Sequence, residues 1–285
     1  METRVHITEE PQPKSGPIGP DDIIVVEDIV KVYNGRRVLD GISFRVRRGD
    51  ILVLMGGSGC GKSTTLRQLI GLQRPDAGRI WLEGREITCL TEDEFNAVRR
   101  RFGVLFQSGA LFNSLTVGEN VALPIREHFP DQPEMTIDIM VKMKLSLVDM
   151  TRYAGLKPAE ISGGMKKRAA LARALALDPK LLFCDEPTAG LDPTRVTEFD
   201  ELTLGLCRDL GMTAVVVTHD MTSAFRIATR MVLLNKGKVW AEGTPAEIRA
   251  HPDAGVNRFI NGDPEESEIH QDAEGYLKDI LGESV

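Results

Sequence analysis

The sequence predicts an α/β fold built on a buried parallel sheet, and three observations carry that prediction. Residues 51–55, 181–184 and 214–217 are short apolar runs bounded by charge, glycine or polar residues. Runs of that length and continuity are characteristic of strands covered on both faces. The stretches between them carry helical patterns, and alternation of strand and helix marks a layered α/β domain. The first run leads directly into a glycine-rich loop followed by TTLRQLIGL, which reads as a helix.

Taken in order, residues 1–21 hold Pro11, Pro13, Pro17 and Pro20 among glycines and charges, and are expected to be a flexible tail. Residues 23–50 alternate in the manner of strands, IIVVEDIVKVY and VLDGISFRV, with a turn at Asn34-Gly35. They predict an antiparallel β subdomain ahead of the sheet. Residues 91–160 are richer in helical pattern and interrupt the strand series, so they are expected to form a helical insertion. It opens at a capping box made by Thr91 and Glu94. The helical subdomain continues to about residue 175 through KKRAALARALAL, a helix expected to stop at Asp178-Pro179. Asp192 and Pro193 suit an N-cap and first helical position, and Gly211 suits the end of that helix. VLLNKGKVWAEG reads as a hairpin around Lys236-Gly237. The folded domain is expected over 22–262. Residues 263–285 form an acidic tail in which Ile269, Ala273, Tyr276, Leu277 and Ile280 have helical spacing, so a short amphipathic helix and a disordered segment are both open readings.

Composition sets outer limits. Of 285 residues 42% are hydrophobic and 27% charged, ordinary for a soluble globular chain. The net charge of -7 argues against a nucleic-acid partner. Cys60, Cys89, Cys184 and Cys207 form no CxxC pair, as expected of a reduced cytoplasmic protein. No apolar run approaches the ~20 residues that span a bilayer, and the polar start has no apolar signal core. Any membrane role is expected to come through a partner.

Residues 56–63 read GGSGCGKS and fit G-x-x-x-x-G-K-[ST]. Gly56, Gly57, Gly59 and Gly61 let backbone N–H groups turn inward around phosphate oxygens, with Ser58 and Cys60 between them, and the following helix offers its positive end. Lys62 reaches the β- and γ-phosphates, Ser63 ligates Mg²⁺, and Thr64 continues the cradle. The run LLFCDE ends on two carboxylates. Asp185 is placed to hold Mg²⁺ through water, and Glu186 to polarise the attacking water as general base.

Residues 161–165, ISGGM, resemble the LSGGQ signature of the ABC ATPase family. The resemblance covers roughly residues 22–262 and implies a P-loop NTPase cassette that binds and hydrolyses ATP with Mg²⁺. In that family two subunits pack head to tail, so Ser162, Gly163 and Gly164 are implied to complete the ATP site of a second copy. Gln107 in GVLFQSG matches the glutamine that touches Mg²⁺ or its water and faces the membrane subunit. Asp192 in AGLDP matches the D-loop, His219 in VVVTHD the switch histidine that contacts the γ-phosphate, and Tyr33 in KVYNG the aromatic that stacks on adenine. Ile161 and Met165 depart from the signature's leucine and glutamine. The thioether removes any hydrogen bond from that last side chain and leaves the serine and glycines in place.

SGGMKKRAALARALALDP, LFQSGALFNSLTVGENVALPIREH and the ending GTPAEIRAHPDAGVNRFINGD are similar to the branch that serves Mla and Mce lipid transport. That likeness implies a homodimer of ATPase subunits docked on an integral-membrane permease at the cytoplasmic face of the inner membrane. It also implies an Mce-domain lipid-binding protein and a small STAS-like subunit. A small-solute importer ATPase is the alternative within transport. A soluble non-transport ABC ATPase is the alternative outside it, disfavoured by the single cassette, the absence of a long coiled-coil insertion and the acidic charge.

Overall fold

The computed structural model describes residues 18–263. The expectations for the tails, 1–21 and 263–285, fall outside the described residues except at 18–21 and 263. From Asp22 the chain forms β1 (Asp22–Tyr33) and β2 (Arg36–Arg47), paired antiparallel about Asn34-Gly35. Both turn residues have positive φ, 49° and 77°, the backbone that matches strand twist in a two-residue hairpin. β3 (Ile51–Gly56) follows and leads into α1 (Lys62–Leu69). β4 (Ala77–Leu82) and β5 (Arg85–Glu86) then join the first sheet, whose order is β2-β1-β4-β5.

Next come α2 (Glu92–Arg99), β6 (Phe102–Leu105), α3 (Val117–His128), α4 (Glu134–Ser146) and α5 (Gly163–Ala174). β7 (Leu181–Asp185), α6 (Pro193–Leu210), β8 (Thr213–Val217) and α7 (Met221–Ile227) complete the strand-helix alternation. β9 (Arg230–Asn235) and β10 (Lys238–Gly243) form the expected hairpin about Lys236-Gly237, followed by α8 (Pro245–Arg249) and α9 (Ala254–Asn261). The second sheet runs β10-β9-β3-β8-β7-β6, parallel except for β10.

The segment 91–160 is therefore not purely helical. Its strand β6 pairs in parallel with β7, from Phe102 opposite Leu181 to Leu105 opposite Cys184. Four residues are too few for periodicity to separate strand from helix. α2 opens at the predicted capping box but sends Phe95 and Val98 into the core shared with the β subdomain. The helical block proper is α3, α4 and α5, joined through Val121, Ile125, Val141, Leu145 and Leu171. α5 ends at Ala174, before Pro179, and Asp178 adopts φ 52° in the turn that follows. The helix thus stops before the proline can clash with it.

The central sheet is covered on both faces. Ile51, Val53 and Met55 of β3 point into the helical side, while Leu52 and Leu54 point into the β-subdomain side. β7, β8 and β9 split their residues the same way: Leu182 against Phe183, Val216 against Val217, Leu233 against Leu234. Because β3, β7 and β8 are parallel and in register, their C-terminal ends open on one edge. Ligands in open α/β sheets bind at that edge.

Candidate functional site: a phosphate loop facing two carboxylates

The loop 56–63 leaves the end of β3 through backbone that side chains rarely adopt, with φ of 147° at Gly56 and 109° at Gly61. A Cβ on Gly56 would lie 2.2 Å from the Leu234 carbonyl oxygen and 2.5 Å from Cys60 Sγ. One on Gly61 would lie 2.4 Å from Leu39 Cδ2. The loop is thus wedged between β9 and β2, and only glycine fits at either end. Gly57, Ser58 and Gly59 are exposed, while Cys60 is buried in the core beneath them. Gly61 caps α1 with no side-chain hydrogen bond, so no capping side chain takes up the first-turn N–H groups. Ser63 is exposed and Thr64 half-buried on that turn. Lys62 Nζ donates to the carbonyls of Gly56 at 2.7 Å and Gly57 at 2.9 Å, which holds its charge across the loop.

Asp185 ends β7 opposite Val217 of β8. Burial, and then the negative charge of Glu186, push its carboxyl pKa up, while Arg67, Lys167 and Lys62 pull the other way. A half-buried carboxylate with a second carboxylate beside it is a place where positive charge is favoured. Glu186 takes a left-handed backbone, φ 47°, and donates its N–H to the Val217 carbonyl at 2.8 Å. Its Oε2 lies 2.8 Å from Nδ1 of His219 and accepts from the His219 N–H at 3.4 Å. His219 sits between β8 and α7 with its side chain 72% exposed. Gln107, in the loop after β6, is exposed and lines an open cleft of about 580 Å³ with Phe106, Ser108, Asp185, Ala189 and Gly190. One sheet edge therefore gathers Lys62, Asp185, Glu186, His219 and Gln107 from four loops.

The remaining predicted residues lie elsewhere. Ser162 caps α5, its hydroxyl accepting from Met165 N at 3.3 Å, and Gly163 is exposed beside it. Gly164 packs against α6 and its approach, where an added Cβ would meet Arg195 Nη1 at 3.1 Å and then Leu191. Asp192 caps α6, accepts from Arg195 N at 3.1 Å and pairs with Arg195 Nε at 3.1 Å. Gly164 and Asp192 thus meet at Arg195 of α6, with Ser162 and Gly163 exposed beside them. Tyr33 stands at the tip of the first hairpin, 37% exposed; its hydroxyl donates to Gln73 Oε1 at 2.5 Å, and Lys31 Nζ lies 5.6 Å from the ring centre.

Lys167 was missed from the sequence. Its ammonium donates to the Gln107 carbonyl at 2.5 Å and to the Glu186 carbonyl at 3.3 Å. The available signal was a lysine on the apolar helical face it shares with Ala170 and Leu171.

Among the described residues no helix is long and apolar enough to cross a membrane. Residues 39–189 match the family model for ABC transporters. The chain is 38% identical over 261 residues to the intermembrane phospholipid transport system ATP-binding protein MlaF of Haemophilus influenzae, covering 91% of this chain and 98% of that protein. It is 37% identical over 241 residues to the methionine import ATP-binding protein MetN of Caulobacter vibrioides, covering 84% and 72%. Among solved structures, the dimeric ATP-binding cassette MJ0796, bound to ADP and Pi in a post-hydrolysis state, matches with TM-score 0.72 at 30% identity, over 78% of this chain and 98% of that one. A glycine loop, a capped signature helix and a carboxylate pair in this order, matched over more than half the sequence, place the chain in the ABC transporter family as an ATP-binding, ATP-hydrolysing subunit.

Proposed function

We propose that two copies of this chain hydrolyse ATP at composite sites and thereby energise phospholipid transport across a cell envelope. The observation that carries the hydrolytic part is the convergence of Lys62, Asp185, Glu186 and His219 on one sheet edge, with Glu186 Oε2 2.8 Å from His219 Nδ1. Glu186 is the base that takes a proton from water, and His219, held by that contact, orients it and meets the γ-phosphate. Lys62 and the first turn of α1 hold the phosphates, and Tyr33 the adenine. No cluster of three or more His, Cys, Asp or Glu suited to a metal occurs among the described residues. Ser63, Asp185 and Gln107 fit the other pattern, in which a carboxylate and a few neutral oxygens act with water and the nucleotide's phosphates. Those residues would hold Mg²⁺, which would supply charge neutralisation at the phosphoryl oxygens.

Ser162, with Gly163 and Gly164, starts α5 and Asp192 starts α6, and neither helix start bonds to its own chain's loop 56–63 among the described residues, which supports a second copy as the place where they act. Nucleotide bound between the copies favours the closed pair, and loss of the γ-phosphate releases it. The phospholipid reading rests on the SGGM signature and on the near-complete span of the H. influenzae relative. The partners proposed are a permease docking near Gln107 and the helical block, an Mce-domain protein and a STAS-like subunit, with the chain peripheral to the cytoplasmic face of the inner membrane. The similarity to a methionine import protein keeps a small-solute importer as the second reading.

The test is purification of the tagged chain from its native membrane in mild detergent, followed by mass spectrometry of co-purifying proteins and lipids. A multi-pass permease with an Mce-domain protein and phospholipid is the expected outcome. A permease with a soluble solute-binding protein would move the chain to the importers, and no membrane partner would remove the transport claim.

A further inference from the structure

A lysine in the interior needs an explanation, because an ammonium stripped of water is costly unless donors and charges are matched. Lys167 is only 7% exposed, on the face of α5 that carries Ala170 and Leu171 into the core. Burial lowers its pKa, while the nearby Glu186 charge in particular holds it up. Its two recorded acceptors are main-chain carbonyls 60 and 19 residues away in sequence, those of Gln107 and Glu186. Further along α5, Arg173 donates to the carbonyls of Gly109 at 2.8 Å and Ala110 at 2.7 Å. Gly109 lies against the same helix, where an added Cβ would be 3.3 Å from Ala170 Cβ. The first part of the loop after β6 is therefore fastened to α5 at two places by cations on its carbonyls.

We infer that Lys167 is a positioning residue of the hydrolytic site, fixing the main chain of Gln107 and Glu186 to the helix that begins at Ser162. The inference rests on the reading of Glu186 as the base. Glu186 occupies a left-handed conformation that a side chain resists, and such strain persists only where the surroundings hold it. Its N–H is held by the Val217 carbonyl, and its own carbonyl accepts from the Ala189 N–H at 3.2 Å and from Lys167 at 3.3 Å. Removing the ammonium takes away one of those three restraints, the one that ties Glu186 to α5. The same ammonium joins the two kinds of site. Ser162 caps the helix that carries Lys167, so a displacement of α5 on meeting nucleotide held by a second copy reaches Gln107 and Glu186 through this residue.

The experiment compares Lys167→Met and Lys167→Arg with wild type, as full-length chains in their purified membrane complex. Turnover is expressed per bound ATP analogue, so that unfolded protein drops out. The expected result is a kcat lowered by about tenfold to a hundredfold in the Met variant, as misplacement of a catalytic group produces. KM for ATP should change by less than about twofold, since the phosphate loop is untouched. The Arg variant, which restores a cationic donor, should recover most of kcat. Should the Met variant not fold, Lys167→Gln carries the same comparison with an uncharged donor. A Met or Gln variant with wild-type kcat per site, or an Arg variant no better than these, would overturn the inference. A wild-type complex with no turnover at all would overturn the hydrolytic reading and this inference with it, a result plainly different from the other two.

Discussion

Asp185 concentrates the electrostatic cost of the site in one carboxyl group. Burial and the Glu186 charge raise its pKa above the ordinary carboxylate value, so the unfolded chain releases this proton at lower pH than the folded one. Stability is therefore lost as pH rises from the unfolded value through the raised folded value, and the loss persists at neutral pH. Asp185→Asn removes that loss. In thermal melts without nucleotide or divalent ion, the Tm difference, variant minus wild type, should grow more positive from acid to neutral pH. A difference that is flat or shrinks would refute the assigned strain. Lys62 shows the complementary economy: its ammonium bridges the carbonyls of Gly56 and Gly57 and so is already placed at the loop's mouth.

At the scale of elements, the helices that follow Asp192 and His219 are joined by a buried group the sequence did not single out. Asp200 of α6 is 2% exposed; it accepts from Ser223 Oγ at 2.7 Å and from Arg226 Nη1 at 2.7 Å, both on α7. Burial raises its pKa, against the pull of Ser223 and Arg226. Asp200→Ala leaves the Arg226 guanidinium and the Ser223 hydroxyl without this acceptor, and is expected to cost about 3 kcal/mol of stability. Urea unfolding reads this directly, and a midpoint unchanged from wild type would show that the link contributes nothing. α4 makes the opposite point. Ile137, Val141 and Leu145 are buried while Met135, Ile139 and Met143 stand exposed on another face. Its apolar residues therefore predict a helix but not which face is covered.

For the whole molecule, the decisive feature is that the residues proposed for one nucleotide site fall at two places on the chain, bridged by α5 through Lys167. The phosphate loop and carboxylates occupy the sheet edge, while Ser162 and Asp192 cap helices that pack on each other through Arg195. If two copies complete each other, Lys62→Ala and Ser162→Ala chains damage different halves. A mixed pair then keeps one intact site. Mixing the two inactive variants should give more ATP hydrolysis than either alone, measured as phosphate release. Activity that is merely the average of the two would mean that each copy works alone.

Sequence by itself determined the α/β class, the first hairpin, β3, β7, β8 and the phosphate loop. Those features are local: apolar runs, Asn-Gly and Lys-Gly turns, and glycines whose spacing reflects backbone conformation. The capping box at Thr91 and Glu94 and the Asp192-Pro193 helix start were legible for the same reason. Tertiary structure alone decided that β6 belongs to the central sheet, since its four residues gain strand character only by pairing with β7. It alone placed α2 with the β subdomain, through Phe95 and Val98. It also decided that a lysine inside an alanine-rich helix donates to carbonyls 60 and 19 residues away. Hydrogen bonds to main-chain carbonyls leave no trace in the identity of the accepting residue, so such a contact becomes visible only once the chain is folded.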